Sequence, residues 1–171
     1  MSSPAAGQGP TDPASVIRAY TDAANAGDVE AAIAWWADDA TCTVLPAAVM
    51  GQAVFTGKAH IRSLAEALVA QHSRTAIEEL QVDGERVTAL SRSHVDSVRR
   101  LGVEALEATA EAIVRDGKIQ SATYTFTDTV ARLLATARSA QSASSQIPQA
   151  VDPIDGALTG GDEEVPHQAS G

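Results

Sequence analysis

The chain has 171 residues, 44% of them hydrophobic, with a formal charge of −10 and a pI near 4.7. That length supports one hydrophobic core rather than two, and the acidic balance repels phosphate backbones, which excludes nucleic acid as an expected partner. No basic amphipathic segment or long apolar run points to a membrane. Cys42 is the sole cysteine, so neither an intramolecular disulfide nor a multi-cysteine zinc site can form. Met1 to Pro10 is small and polar without the basic start and apolar stretch of a signal peptide, so a cytoplasmic protein is expected.

Residues 1–11 and 139–171 are rich in Ser, Ala, Gln, Pro, Gly and acids. Such segments bury too little apolar surface to offset ordering entropy, so both ends are expected to be disordered around a domain at 12–138. Asp12-Pro13 reads as a helix start, with Val16, Tyr20, Ala23 and Ala24 on one face and Asn25-Ala26-Gly27 as the stop. Asp28 caps a second helix whose apolar face is Val29, Ala32, Ile33 and Trp36. Thr41 to Leu45 is a short strand ended by Pro46, and Gly57 precedes a third helix with Ile61, Leu64, Ala65 and Leu68 inward. The period then changes. Strands are expected at 75–82, 86–98, 103–115 and 118–128, with turns at Asp83-Gly84 and Asp116-Gly117. A last helix carries Val130, Leu133 and Leu134. Helices followed by a meander predict an α+β fold with one sheet face covered.

Four segments resemble a known family: Tyr20-Thr-Asp-Ala-Ala-Asn25-Ala-Gly27-Asp28, Trp36-Ala-Asp38-Asp39-Ala40-Thr41, Thr56-Gly57-Lys-Ala-His-Ile61 and Asp116-Gly117-Lys118-Ile119. In order and spacing, over roughly 13–135, they are similar to the SnoaL-like polyketide cyclases, ketosteroid isomerases and limonene-epoxide hydrolases of the NTF2-like superfamily. The resemblance implies a cone, with helices packed on a curved antiparallel sheet around a pocket. It does not specify a reaction, because one fold hosts many.

Register can be counted from the turns. A two-residue Asp116-Gly117 turn pairs Arg115 with Lys118 and sets Glu111 opposite Ala122, Thr109 opposite Tyr124 and Glu107 opposite Phe126. Arg92 then falls near Thr109 and His94 near Glu107. One sheet face is expected to carry Leu90, Arg92, His94, Glu107, Thr109, Glu111, Ala122, Tyr124 and Phe126, and this face is assigned to the pocket. The small residues Ala89, Ser91, Ser93, Ala108, Ala110, Ala112, Ser121, Thr123 and Thr125 fall on the other face, where a homodimer is expected to form. The resemblance implies that Arg92 matches the epoxide-hydrolase arginine, with His94 and Tyr124 at the two aspartate positions. It implies that Tyr20 matches the isomerase tyrosine that donates to an enolate, with Glu111 near the partner acid. Val44 stands where the isomerase base would be, Cys42 and Val44 stand where the hydrolase holds its water, and the SnoaL-type base falls at Tyr124.

His94 beside Glu107 is a candidate acid–base pair, or else a rim ion pair. Arg92 either holds an oxyanion or balances Glu107 or Glu111. Tyr20 is an oxyanion donor or a core tyrosine, and Glu111 a neutral acid or an ion-pair partner. Trp36, Cys42, Val44, Leu90, Thr109 and Phe126 are expected to line the substrate site. No metal-ligand spacing, phosphate loop or dinucleotide fingerprint occurs, so catalysis is expected to need no cofactor. The leading expectation is a cofactor-independent isomerase, cyclase, dehydratase or epoxide-opening enzyme for a largely apolar polyketide- or terpenoid-like metabolite of secondary metabolism. The alternative is a non-catalytic small-molecule-binding or accessory protein of the same fold, and a third reading is an oligomerisation module.

Overall fold

The computed structural model describes residues 11–145. Of the ends expected to be disordered, 1–11 and 139–171, residues 1–10 and 146–171 lie outside them. Helix α1 spans Pro13–Ala26; Asp12 caps it by accepting from the Ser15 N–H at 3.0 Å, and Gly27 ends it at φ 78°, a left-handed conformation that glycine adopts without strain. Asp28 caps the short α2, Val29–Ile33, through the Ala31 N–H at 2.9 Å. Helix α3 is Lys58–Ala70, α4 is Asp96–Arg99, and α5 is Asp128–Ser145, running past the expected domain end at 138.

The six strands are β1 Trp36–Leu45, β2 Val54–Thr56, β3 Arg74–Asp83, β4 Arg86–His94, β5 Leu106–Arg115 and β6 Lys118–Phe126. They form one sheet in the order β2-β1-β6-β5-β4-β3. Every pairing is antiparallel except β1 with β6, which is parallel. The fold is therefore α+β, with N-terminal helices on a mostly antiparallel sheet, as the order of elements predicts. The core joins Val16 and Ile17 of α1, Ile33 of α2 and Ile61 of α3 to Trp36, Val87, Val114 and Ile119 of the sheet.

Local expectations fail in three places, each for a tertiary reason. Trp36 does not extend α2; it begins β1, where the Trp35 carbonyl accepts from the Ile119 N–H at 2.8 Å. Pairing with β6 thus captures a segment whose Asp38-Asp39 gave helix little support. The strand expected through Val98 stops at His94, and Asp96–Arg99 turns helical before Gly102 at φ 80° leads towards β5. Third, β6 contains a bulge. Arg115 pairs with Lys118 and Val114 with Ile119, but Ile113 pairs with Ser121, leaving Gln120 as the extra residue.

That one residue inverts the expected sheet faces. Beyond the bulge Ala108 opposes Phe126, Ala110 opposes Tyr124 and Ala112 opposes Ala122. Ala89, Ser91, Ala108 and Ala112 are buried on the concave face with Ala122, while Arg92, His94, Glu107, Thr109 and Glu111 are exposed on the convex one. The register between β4 and β5 also differs by two residues from expectation, so Arg92 faces Glu107 and Leu90 faces Thr109. The Ala/Ser stretch of β4 and β5 expected to join two copies therefore lies inside the domain.

Candidate functional site

A pocket of about 420 Å³ lies between α1, α3 and the concave sheet face, with α5 and the turn at Ala47–Val49 along one side. From β4 and β5, Ser93 and Leu106 reach its wall. Its walls are mostly apolar: Val29, Val49, Ile61, Leu64, Leu68, Leu106 and Phe126 contribute. This size is usual for small-molecule sites, which span roughly 300–1,000 Å³.

The polar groups on the walls are mainly engaged with the protein. The Asn25 side chain donates to the Thr75 carbonyl and accepts from the Thr75 N–H, both at 2.8 Å, tying the end of α1 to β3. The Thr75 and Ser93 hydroxyls bond each other at 2.8 Å, and Thr21 donates to the Ile17 carbonyl at 2.8 Å.

Tyr20, Trp36, Cys42 and Tyr124 form a different group. Tyr20 comes from α1, Trp36 and Cys42 from β1 and Tyr124 from β6, so three elements converge. The Tyr20 and Trp36 rings meet edge to face at 5.6 Å between centroids. The Trp36 Nε1–H is buried with no hydrogen-bond partner of good geometry. Burial pushes the Tyr20 hydroxyl up to about 12, helped by Cys42 and opposed by the neighbouring Tyr124 hydroxyl and Trp36 indole. Burial likewise pushes the Cys42 thiol up to about 12, and it raises Tyr124 well above the ordinary phenol. All four groups are therefore neutral at physiological pH. They present polar hydrogens to an apolar cavity and offer no base.

Of the residues singled out in the sequence, Tyr20, Trp36, Cys42, Val44, Tyr124 and Phe126 line this pocket. Arg92, His94, Glu107, Glu111, Leu90 and Thr109 do not, because they lie on strand positions that the bulge turns outward. Arg92 and Glu107 form an ion pair at 2.5 Å with side chains 45% and 49% exposed. His94 contacts the Glu104 carbonyl through Nδ1 at 2.8 Å, not Glu107, and Glu111 sits 3.8 Å from Arg86. The expected His94–Glu107 pair and Arg92 anion clamp thus have no place in the pocket. Their alternation with Ala and Ser was the signal: charges at every second residue opposite small residues mark a wet strand face. Asn25, Thr75, Ser93 and Arg138 are pocket residues that the sequence reading missed.

The SnoaL-like domain family model matches residues 17–122, more than half of the chain. The chain belongs to the SnoaL-like family. No curated protein matches it. Among solved structures, the SnoaL-like chain is similar to a Methylobium petroleophilum protein of unknown function with a cystatin-like fold, at 22% identity and TM-score 0.58, over 70% of this chain and 80% of that one. It is also similar to a Kribbella flavida protein described as a candidate ketosteroid isomerase, at 18% identity and TM-score 0.54, over 66% and 76%. A Sinorhizobium meliloti protein described as a candidate polyketide cyclase matches at 20% identity and TM-score 0.54, over 64% and 93%. At these identities the likeness establishes the fold alone. Among the described residues no helix is long and apolar enough to cross a membrane.

Proposed function

We propose that this SnoaL-like protein binds a largely apolar small molecule, of polyketide or terpenoid character, and fixes its orientation through an oxygen that accepts a hydrogen bond from Tyr20. The observation that carries this reading is the polar group of Tyr20, Tyr124 and Trp36 within mostly apolar walls. A ketone, ester or phenol oxygen fits it. A neighbouring donor polarises the Tyr20 O–H, and low local polarity strengthens the bond it makes. No Asp, Glu, His or Lys is among the described residues lining the pocket, and the phenols and thiol are held neutral. Binding therefore takes precedence over proton-transfer catalysis by His94 and Glu107.

A second reading rests on Tyr20 itself. A phenol held neutral within an apolar pocket can stabilise a developing oxyanion, so a ring closure in which the substrate supplies its own acidic proton suits the site. The relatives described as an isomerase and a cyclase candidate agree with that chemistry.

The test is displacement of the neutral dye N-phenylnaphthylamine by a long-chain methyl ketone and by the alkane of equal length. The ketone should bind wild type more tightly than the alkane, and Tyr20→Phe should abolish the difference, roughly a factor of five to ten for one neutral hydrogen bond. Equal displacement by ketone and alkane in wild type would remove Tyr20 as the orienting group. Failure of every apolar probe to bind would remove the pocket from the function.

A further inference from the structure

Gln71 ends α3, Ser73 lies in the connection to β3 and Ser97 sits in α4; all three line the pocket and are half-buried. Among the described residues, none of these three side chains has a hydrogen-bond partner. Two contacts bring their segments together. The Asp96 N–H donates to the Gln71 carbonyl at 3.1 Å, and His72 meets the Asp96 carboxylate through Nδ1 at 2.7 Å. Two residues on from Ser73 is Thr75, whose hydroxyl bonds that of Ser93 on the paired strand. That bond uses one of two hydroxyl hydrogens, and the other remains to be donated. This cluster lies well apart from the Tyr20 group. Tyr124 is on β6 and Thr75 on β3, three strands apart, roughly 14 Å along the sheet at about 4.8 Å per strand.

Resting on the binding function proposed above, we infer that Gln71, Ser73 and Ser97 form a second polar subsite, which takes a neutral hydroxyl group of the ligand. The glutamine amide and the serine hydroxyls each donate and accept. An alcohol does the same, so one ligand group matches them all. A charged group matches poorly. Arg99 and Arg100 are not pocket residues; they line a separate surface hollow with Asp96 and Glu104. Arg138 is already engaged with the Val49 carbonyl. A carboxylate or ammonium at this end would shed water without gaining an opposite charge. With a carbonyl oxygen on Tyr20 and a hydroxyl on this cluster, the ligand is a hydroxylated ketone or ester with its two oxygens at opposite ends of an apolar body. Two separated polar contacts fix its direction in the pocket, which one contact alone does not.

The experiment uses the full chain and the same dye displacement, with a methyl ketone and its counterpart bearing a terminal hydroxyl as competing probes. Chain lengths of about eight to twelve carbons bracket the roughly 14 Å separation. The readout is the ratio of hydroxy-ketone affinity to ketone affinity. Against an apolar wall the added hydroxyl loses its water unpaired and weakens binding roughly five- to a hundredfold. On the subsite the best length should instead bind wild type roughly two- to tenfold more tightly than the plain ketone. Gln71→Leu, which keeps the main-chain bond to Asp96, should reverse that preference, and Ser97→Ala should reduce it. Tyr20→Phe should weaken both probes alike and leave the ratio unchanged. Far-UV circular dichroism confirms that each variant is folded; if Gln71→Leu does not fold, Ser73→Ala and Ser97→Ala carry the comparison. A wild-type ratio at or below one at every length overturns the subsite, as does a ratio that none of these wall substitutions moves, and the binding function then stands. If neither ketone displaces the dye from wild type, the binding function fails and this inference falls with it.

Discussion

Alkaline titration offers a direct reading of the pocket, because the only two tyrosines of the chain, Tyr20 and Tyr124, both line it. Burial pushes Tyr20 from an ordinary value of 10.0 up to about 12 and raises Tyr124 well above that ordinary value. A group whose folded pKa is raised contributes stability that is fully present below its unfolded pKa. That stability is lost as pH rises through the folded value, because the unfolded chain releases the proton more readily. For Tyr20 the rise of about two units corresponds to about 2–3 kcal/mol at ~1.4 kcal/mol per unit. The window runs from about pH 10 to about pH 12. Tyrosinate absorbance near 295 nm should therefore stay flat through about pH 10, then rise together with loss of the far-UV dichroism signal, as one cooperative event. In urea titrations the stability gap between wild type and Tyr20→Phe should shrink by about 2–3 kcal/mol across that window. Ionisation of both tyrosines near their ordinary value, with the secondary structure intact, would refute the burial of this group and with it the site.

Four further outcomes follow from named contacts. Cys42, held protonated with a pKa near 12, should resist iodoacetamide at about pH 8 in the native state and react fully in denaturant; fast native labelling, followed by mass spectrometry, would contradict its environment. His94→Gln and Glu107→Gln should leave dye binding unchanged and alter the urea midpoint little, since both side chains are exposed on the convex face. Ala108→Glu on the concave face should cost about 3 kcal/mol or more by burying an unpaired carboxylate, readable as collapse of the urea midpoint or of soluble expression. Asn25→Ala removes both bonds to Thr75 and should cost about 1–3 kcal/mol in the same titration.

Much of the architecture is legible in the chain because it depends on short-range rules. Asp12, Pro13 and Gly27 delimit α1 by capping and φ preference alone, and Asp116-Gly117 turns its hairpin as expected, whereas the β3–β4 hairpin turns one residue later than expected, at Gly84-Glu85, with Asp83 paired to Arg86. The inward faces of α1 and α3 follow from helical spacing, so Tyr20, Ile61, Leu64 and Leu68 could be placed in the pocket without coordinates. Those helices, the β1 residues Trp36, Cys42 and Val44 and the β6 residues Tyr124 and Phe126 supplied the parts of the site that sequence could name.

Which face of β4 and β5 looks inward was decided elsewhere. The turn at Asp116-Gly117 sets only the first two pairs correctly; Gln120 then slips out of the ladder, and parity reverses for every residue beyond it. Strand alternation is local, but its phase relative to the core is not. Burying Arg92, Glu107 and Glu111 without solvent would cost far more than burying Ala89, Ser91 and Ala108, and the domain resolves that difference with one extra residue. Trp36 illustrates the same competition, since parallel pairing of β1 with β6 overrides helical spacing. Arg138 could not be assigned to the pocket from its neighbours in sequence, because only the docking of α5 against the turn at Ala47–Val49 brings its guanidinium to the Val49 carbonyl.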